Sequence, residues 1–239
     1  MVSSNADSDP LIECSGLGKQ FRVRGRAVRV LDGVALSVRR GEIVVLSGRT
    51  GSGKSTLLGL LGGLDRPSAG TIRLEGRRVD GLTSAEWSAL RREKIGFLFQ
   101  SFNLLGSWTA VENVEAALLH TPLRRPERRE KARSLLAALG MEGRLDHLPS
   151  ELSVGQQQLV AIARTVANDP ALLLADEPTG DVDPETAVEI IRQLTGAVRD
   201  RGAALIVVTH GTFPLDGADR VFRLADGVLA AAEPAPARS

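Results

Sequence analysis

The chain has little of several features that mark common protein classes. It contains one cysteine, Cys14, so it cannot form an internal disulfide, and a reducing cytosol suits it. Its 30 Lys and Arg residues are balanced by 29 Asp and Glu residues, for a net charge of +1. This balance gives no broad positive field of the kind that nucleic-acid-binding proteins use. Nucleic acid is therefore not expected as a partner.

Long apolar runs and metal-binding clusters are also missing from the sequence. The longest apolar run, residues 203–208, is far shorter than the ~18 residues that a membrane-spanning helix needs. The first ten residues are polar and lack the apolar stretch of a secretion signal. His120, His147 and His210 lie too far apart for zinc spacing. We expect a cytoplasmic chain that acts at a membrane only through a partner.

The length of 239 residues and the hydrophobic pattern predict one compact α/β domain over residues 11–229. Residues 1–10 and the Pro/Ala-rich residues 230–239 are expected to be flexible ends. Short alternating strands predict an N-terminal antiparallel part, helical spacing predicts an inserted helical part at about residues 101–168, and continuous apolar strands predict a mainly parallel sheet. The expected strands are residues 11–21, 28–38, 42–47, 95–99, 171–175 and 203–208, and the expected helices are 57–64, 126–139, 155–168 and 184–199, with two more beginning at Thr83 and Thr109.

One glycine-rich stretch matches the phosphate-binding loop G-x-x-x-x-G-K-[ST] and lies between a predicted strand and a predicted helix. The alternative is a glycine turn with an exposed lysine, but the four fixed positions should coincide by chance in only about one per cent of chains this long. The stretch predicts a P-loop NTPase core, in which successive backbone N–H groups and a helix N-terminus face a polyphosphate. Its residues are Gly48, Arg49, Thr50, Gly51, Ser52, Gly53, Lys54, Ser55 and Thr56.

Three side chains of this loop have predicted contacts. Lys54 would contact the β- and γ-phosphates, Ser55 would give its hydroxyl to Mg²⁺, and Thr56 would reach the α-phosphate.

An apolar strand ending in Asp176 and Glu177 predicts the second half of the same site. Strand ends of a parallel sheet meet at one edge, so both carboxylates are expected beside the phosphate loop. Asp176 would hold Mg²⁺, and Glu177 would orient or deprotonate the water that attacks the γ-phosphate. Alone, such a pair could simply cap the next helix, but together with the phosphate loop it favours catalysis.

Residues 152–156, Leu-Ser-Val-Gly-Gln, resemble the signature loop of ABC-type ATPases, and the resemblance extends over residues 11–229. It implies that Phe21 stacks on adenine and that Gln100 contacts Mg²⁺ and the attacking water. It also implies that Asp183 belongs to the loop after the acidic strand and that His210 contacts the γ-phosphate. His120 and His147 match no family position and are interpreted as ordinary surface or helix-end residues.

The family resemblance further implies that two copies bind head to tail around two ATP molecules. Ser153, Gly155 and Gln156 of one copy would close over the γ-phosphate held by the other copy. Hydrolysis would then remove the γ-phosphate contacts and let the dimer open, a switch that can drive a partner.

Four positions depart from the family pattern. Val154 replaces the first glycine of the signature loop, and would be strained if that position required a positive φ. Leu159 replaces an arginine, Asp181 replaces a small residue, and Gly211 follows His210 where an acidic residue is usual. Because all catalytic groups are present, we expect an active but slow ATPase, with a poorly hydrolysing nucleotide switch as the alternative.

Residues 94–104 resemble the branch of the family that serves macrolide export, lipoprotein release and cell division. The implied partner is an integral membrane permease with four spans and a large extracytoplasmic domain, which would hold the chain at the inner face of the membrane. Phe102, Leu104, Leu105 and Trp108 could form a groove for a partner helix or belong to the core. A soluble ABC-type ATPase not coupled to transport is the alternative function. It is disfavoured because the chain has neither a second phosphate loop nor a long coiled coil.

Overall fold

The computed structural model describes residues 9–180, 182–210 and 217–232, which contain two β-sheets and six α-helices. The strands are β1 (Ile12–Val23), β2 (Arg26–Val38), β3 (Ile43–Ser47), β4 (Ala69–Leu74), β5 (Arg77–Arg78), β6 (Ile95–Leu98), β7 (Leu172–Asp176), β8 (Ala204–Thr209), β9 (Arg220–Ala225) and β10 (Val228–Ala231). The helices are α1 (Lys54–Leu61), α2 (Ser84–Lys94), α3 (Ala110–Ala117), α4 (Arg125–Ala137), α5 (Val154–Val166) and α6 (Pro184–Arg199), with short 3₁₀ turns at Glu142–Arg144 and Pro149–Glu151. Asp181 and Gly211, two of the positions that depart from the family pattern, lie outside the described residues.

A six-stranded sheet forms the centre of the molecule, in the order β10-β9-β3-β8-β7-β6. Its strands are parallel to their neighbours except for β10, which runs antiparallel to β9. The strands β3, β7 and β8 are almost entirely buried, because helices and the second sheet cover both faces of a parallel sheet. The predicted mainly parallel sheet is confirmed, and the carboxyl ends of β3, β7 and β8 meet at one edge.

A second sheet, in the order β2-β1-β4-β5, is antiparallel throughout and confirms the predicted N-terminal antiparallel part. The hairpin of β1 and β2 reaches closer to its turn than expected, since β1 continues to Val23 and β2 begins at Arg26. The turn is made by Arg24 and Gly25, both with positive φ. Such a tight two-residue turn allows pairing to continue to the tip of the hairpin.

The helices follow the capping signals in the sequence. Thr83, Thr109 and Ser153 each cap a helix, and in each case the side chain of the third residue of the helix returns a hydrogen bond to the cap residue. The helices α3, α4 and α5 lie within residues 101–168 and pack on one another, as expected for the inserted helical part.

The helix after the phosphate loop was expected at residues 57–64, and this boundary is wrong. The helix α1 begins at Lys54, because Gly53 in the left-handed conformation ends the loop and lets the helix start at once. It ends at Leu61, where two glycines follow. The lysine, serine and threonine of the motif therefore stand on the first turn of the helix.

Four strands beyond the phosphate loop carry no strong sequence signal and were not predicted: β4, β5, β9 and β10. The last of these extends to Ala231, so the segment at residues 230–239 that was expected to be loose contributes to a strand at its start. The N–H of Ala232 also donates to Val221 O at 2.9 Å. This contact ties the end of the described chain to the central sheet.

The buried side chains form two clusters, one on each face of the central sheet. One cluster joins the sheet to α3, α4, α5 and α6, and the other joins it to α1 and the antiparallel sheet. Among residues 9–180, 182–210 and 217–232, no helix has the length and apolar character needed to cross a membrane.

Candidate functional site

The phosphate loop connects the end of β3 to the first turn of α1. Gly53 has φ 100°, which L-amino acids with a side chain rarely adopt, and a Cβ at this position would lie 2.9 Å from Val30 Cγ1. Both the backbone conformation and the close approach of β2 therefore require glycine at this position. Ser52 N donates to Arg49 O at 3.1 Å, a hydrogen bond that closes the bend of the loop.

Lys54 is buried, with 5% of its surface exposed, at the centre of the loop. Its ammonium group donates hydrogen bonds to Gly48 O at 2.9 Å and to Arg49 O at 3.2 Å, and lies 3.8 Å from Glu177 Oε1. A buried ammonium needs such partners because its loss of hydration is costly. The loop thus holds a positive charge where a polyphosphate would lie.

Ser55 and Asp176 meet across the edge of the sheet. Ser55 Oγ donates to Asp176 Oδ1 at 3.1 Å, which brings the first turn of α1 to the end of β7. Burial raises the pKa of Asp176, and the negative charge of Glu177 raises it further, against the opposing effects of the Ser55 hydrogen bond and the charge of Lys54. A hydroxyl and a carboxylate oxygen side by side are ligands that Mg²⁺ accepts.

The raised pKa of Asp176 predicts a pH-dependent effect on stability in the absence of nucleotide and metal. The carboxylate is less favourable in the folded chain than in the unfolded chain, so it lowers stability above its unfolded pKa of about 3.9 and has no such effect below it. We expect Asp176→Asn to raise the thermal unfolding midpoint at pH 7, with a gain that shrinks as the pH falls toward 4. Thermal unfolding of both proteins across this pH range measures the difference. An equal gain at every pH would contradict the prediction.

Glu177 follows β7 in a left-handed conformation, with φ 49°. Its N–H donates to Val208 O at 2.9 Å, and its carbonyl accepts from Gly180 N at 3.1 Å. A residue with a side chain adopts this conformation only where its surroundings enforce it, and such backbone strain is common at functional sites. The hydrogen bond to β8 is one of the contacts that enforce it here.

The carboxylate of Glu177 contacts His210 at the end of β8. Its Oε2 lies 2.5 Å from His210 Nδ1 and also accepts from His210 N at 3.3 Å. The side chain of Glu177 is 11% exposed and that of His210 is 48% exposed, so the carboxylate is nearly buried and the imidazole is partly open to solvent. This arrangement places an acid–base pair at the edge where β3, β7 and β8 end.

These residues surround a pocket of about 430 Å³. Its lining contains nine of the predicted residues, namely Thr50, Gly51, Gly53, Lys54, Ser55, Thr56, Gln100, Glu177 and His210, together with Val30. Val30 was not predicted, because β2 carries no motif. Only its alternating pattern, which places Val28 and Val30 on one face, could have indicated an apolar wall. Asp176 joins the pocket through Ser55.

Phe21, the predicted adenine contact, lies on β1 opposite Val28 and is 39% exposed. The ammonium of Lys19 lies 4.7 Å from the centre of its ring, and Lys19 is itself held by Asp65 at 2.6 Å. A cation on one face fixes the ring and leaves the other face for stacking. Phe21 is not part of the pocket lining described above.

Ser153, Gly155 and Gln156 lie at the start of α5 and are also outside that lining. Ser153 Oγ accepts from Gln156 N at 3.2 Å, so both side chains are used in capping the helix. A Cβ on Gly155 would lie 2.6 Å from Thr186 Cγ2 on α6. The glycine is therefore required by close packing of the two helix starts.

Asp183 caps α6 and holds the threonine that packs on Gly155. It accepts from Thr186 N at 2.9 Å and from Thr186 Oγ1 at 2.6 Å, and the hydrogen bond from the Thr186 side chain lowers the pKa of Asp183. The predicted Asp183 loop and signature loop thus contact each other within one chain.

The expected strain at Val154 is wrong for this structure. Val154 is the first residue of α5, so its backbone is helical, and its side chain is 44% exposed. A β-branched residue is tolerated in this conformation at small cost. Leu159, on the same helix, packs partly buried against the core in the place of the family arginine.

We therefore expect Val154→Gly to leave the steady-state rate of ATP hydrolysis within about twofold of the original, because no positive φ has to be relieved. Glycine should lower the free energy of unfolding by no more than about 1 kcal/mol, its helix cost relative to better helix formers. A phosphate-release assay and thermal unfolding measure the two effects. A rate increase of about fivefold or more would instead indicate that Val154 slows closure of the signature loop.

A buried glutamine joins the signature helix to the loop after Glu177. Gln158 is fully buried at 0% exposure, and its Nε2 donates to Pro178 O at 2.7 Å. Within the described residues its Oε1 has no hydrogen-bond partner. Leaving one atom of a buried amide unpaired lowers the stability of the fold. The hydrogen bond to Pro178 offsets part of that cost.

Comparison with known proteins assigns the family. The family model described as ABC transporter matches residues 31–180. The chain belongs to this family. It is 44% identical over 230 residues to the macrolide export ATP-binding/permease protein MacB of Shewanella sp. (strain ANA-3), covering 96% of this chain and 35% of the relative. The chain thus spans about a third of the length of that relative.

A second relative matches from end to end. The chain is 44% identical over 224 residues to the lipoprotein-releasing system ATP-binding protein LolD of Chromohalobacter salexigens, covering 94% of each chain. Among solved structures, the dimeric ATP-binding cassette MJ0796 in a post-hydrolysis state, bound to ADP and Pi, has a TM-score of 0.85 and 35% identity over 93% of this chain and 99% of that one. The predicted ABC fold, the binding of ATP and the assignment as an ABC-type ATPase are confirmed.

Proposed function

We propose that two copies of this chain bind and hydrolyse Mg·ATP between them and thereby power a membrane permease. The observation that carries the proposal is the separation of two sets of residues. Lys54, Glu177 and His210 line one pocket, whereas the signature residues Ser153 and Gly155 begin a helix outside that lining. A second copy placed head to tail would bring its own signature residues to the pocket and complete it.

In this proposal the side chains of the pocket have separate tasks. Lys54 leaves the carbonyls of Gly48 and Arg49 to bind the β- and γ-phosphates, which offer a stronger charge-assisted contact. The other loop residues, Arg49 to Thr56, present backbone N–H groups and hydroxyls to the phosphates. Glu177 orients the attacking water and accepts its proton, and His210 donates to the γ-phosphate while holding the Glu177 carboxylate in place.

The donor set fits Mg²⁺. Ser55 Oγ and Asp176 Oδ1 are 3.1 Å apart, and Gln100 lines the same pocket, so three oxygen-bearing side chains are available. The ion, when bound, would neutralise charge on the phosphates. The raised pKa of Asp176 also suits a carboxylate whose natural neighbour is a cation.

The remaining predicted residues complete the nucleotide contacts in the proposed dimer. Phe21 offers its free ring face to adenine. Ser153, Gly155 and Gln156 would approach the γ-phosphate of the second copy with the positive end of α5. Asp183, which holds Thr186 against Gly155, would couple the two loops during closure. The domain proposed to carry all of this is residues 11–229, with the helical part at about 101–168.

The permease partner is proposed from the family and from its relatives. One relative is named for macrolide export, with a permease in the same protein, and the other for lipoprotein release. We propose that the permease is an integral membrane protein with four spans and a large extracytoplasmic domain, as the resemblance of residues 94–104 to the export and lipoprotein-release branch implies. The chain would then lie at the inner face of the membrane, bound to that partner.

Affinity capture tests the permease. A tagged Glu177→Gln chain, which should remain closed on ATP, is purified with ATP from detergent-solubilised membranes of its own host, and its partners are identified by mass spectrometry. We expect an integral membrane protein with a large extracytoplasmic domain, absent from a parallel capture with Lys54→Ala. Recovery of ribosomes, of DNA-associated proteins or of the chain alone would contradict the permease and favour a soluble ATPase switch.

A further inference from the structure

Arg164, near the end of the signature helix α5, binds a turn that follows Gln100. Its Nη1 donates to Asn103 O at 2.6 Å, and its Nη2 donates to Phe102 O. One planar guanidinium thus holds two successive backbone carbonyls. Burial lowers the pKa of Arg164, which means that the charge is placed there at a cost.

The turn that Arg164 holds has an unusual backbone. Phe102 has φ 57° and Asn103 has φ 50°, so two successive residues with side chains are left-handed. Asparagine tolerates this conformation, but phenylalanine rarely adopts it. Strained backbone persists only where the surroundings enforce it, and the two hydrogen bonds from Arg164 provide such a restraint.

The start of the same segment is anchored to the same helix. Thr165 Oγ1 donates to Phe97 O at 2.9 Å on β6. A Cβ on Gly96 would lie 2.6 Å from Thr165 O, so helix and strand are in close contact. Thr165 holds the chain before Gln100, at Phe97, and Arg164 holds the chain after it, at the turn. Gln100, which lines the pocket, therefore lies between two segments that are both bound to α5.

We propose that Arg164 is a positioning residue for ATP hydrolysis, which holds the Phe102–Asn103 turn so that Gln100 points into the pocket. This inference rests on the role proposed above for Gln100. Because Ser153 begins the helix on which Arg164 stands, the same contact links closure of the signature loop to the position of Gln100. The alternative is a purely structural role, in which Arg164 stabilises the turn without affecting Gln100.

A double-mutant cycle separates the two roles. Arg164→Lys keeps the charge but cannot form the same planar pair of hydrogen bonds. We expect it to lower kcat about tenfold with KM for ATP nearly unchanged, since a displacement of about 1 Å can cost up to ~10²-fold in rate. Gln100→Ala should lower kcat by a similar factor. In the Gln100→Ala background, Arg164→Lys should then change kcat by less than about twofold.

A second variant disturbs the turn without touching α5. Asn103→Val disfavours the left-handed conformation through its β-branched side chain, and we expect the same fall in kcat and the same lack of additivity with Gln100→Ala. Arg128→Lys is the matched control, because Arg128 Nη1 donates to Leu123 O at 2.8 Å in the helical part, away from Gln100. It should leave kcat within about twofold of the original chain.

The outcomes are distinct. Equal losses of kcat on Arg164→Lys with and without Gln100 would overturn the positioning role, as would a loss of thermal stability with unchanged kcat. If Arg164→Lys does not fold, Asn103→Val decides by the same cycle. If Gln100→Ala alone leaves kcat unchanged, the role of Gln100 in the proposed function fails, and with it the route by which Arg164 would act, while ATP binding through Lys54 is unaffected.

Discussion

Glu177→Gln should reduce ATP turnover by about 10²–10⁴-fold while ATP still binds, the usual contribution of a positioned general base. The substitution removes the proton acceptor but keeps the size of the side chain, and it leaves Lys54 bonded to Gly48 and Arg49. Because the proposed dimer opens only after hydrolysis, its ATP-bound closed state should accumulate. A phosphate-release assay measures turnover, and binding of a fluorescent ATP analogue measures affinity.

A matched control for this result is Glu142→Gln, which changes an exposed glutamate in a 3₁₀ turn of the helical part. It should turn over ATP at the rate of the original chain. If Glu177→Gln retained more than about a tenth of the original turnover, Glu177 would not be the base, and another group at the pocket would have to accept the proton.

Lys54→Ala should weaken ATP binding about 10- to 100-fold, since a charge-assisted contact to phosphate is worth ~1.5–3 kcal/mol and each 1.4 kcal/mol is tenfold in affinity. Lys54 is buried and donates to the carbonyls of the loop, so its ammonium already lies inside the loop where the phosphates would bind. Calorimetric titration with a non-hydrolysable ATP analogue measures the loss.

Two further variants define the Lys54 result. Lys131→Ala removes a lysine that pairs at 2.7 Å with Asp169 on the surface, and it should bind the analogue as the original chain does. Lys54→Arg should also bind poorly, because the larger guanidinium does not fit a side-chain site that is 5% exposed. Tight binding by Lys54→Ala would mean that the loop does not hold the phosphates.

The parts of the site that could be predicted from the sequence are those fixed by neighbours in the chain. Residues 43–56 form a strand, a loop and a helix start within one local stretch, so their spacing carries the information. The start of α1 was still misplaced, because the leucine pattern begins at Leu57 whereas the left-handed Gly53 starts the helix at Lys54. The pattern of apolar residues reports burial and does not report where the first helical turn begins.

Contacts between distant parts of the chain could not be predicted in this way. The pairing of Glu177 with His210 depends on the neighbouring positions of β7 and β8 in the sheet, and it was not predicted, since the family resemblance implied only that His210 contacts the γ-phosphate. Val30 and Arg164 carry no motif, and their contacts depend on how β2 and α5 pack. The strand β9 was missed because Arg220 and Arg223 interrupt its apolar residues, so it shows neither a continuous apolar run nor a clean alternation.

The expected strain at Val154 shows the limit of reasoning from a single departure. Val154 replaces a glycine of the family pattern, yet its backbone is helical and needs no positive φ. The glycine that packing does require is the next one, Gly155, because Thr186 lies where its Cβ would be. Which of two adjacent glycines is essential depends on the contact with α6 and cannot be read from the motif.

Sedimentation velocity of the purified Glu177→Gln chain, with and without ATP, tests the shared nucleotide site most directly. The account predicts a monomer without ATP and a dimer with ATP. Ser153→Arg, added to the same chain, should still bind ATP but sediment as a monomer, because the signature residue of each copy would no longer fit against the other copy. A chain that remains monomeric with saturating ATP, or a Ser153→Arg variant that dimerises as well as its parent, would contradict the shared site.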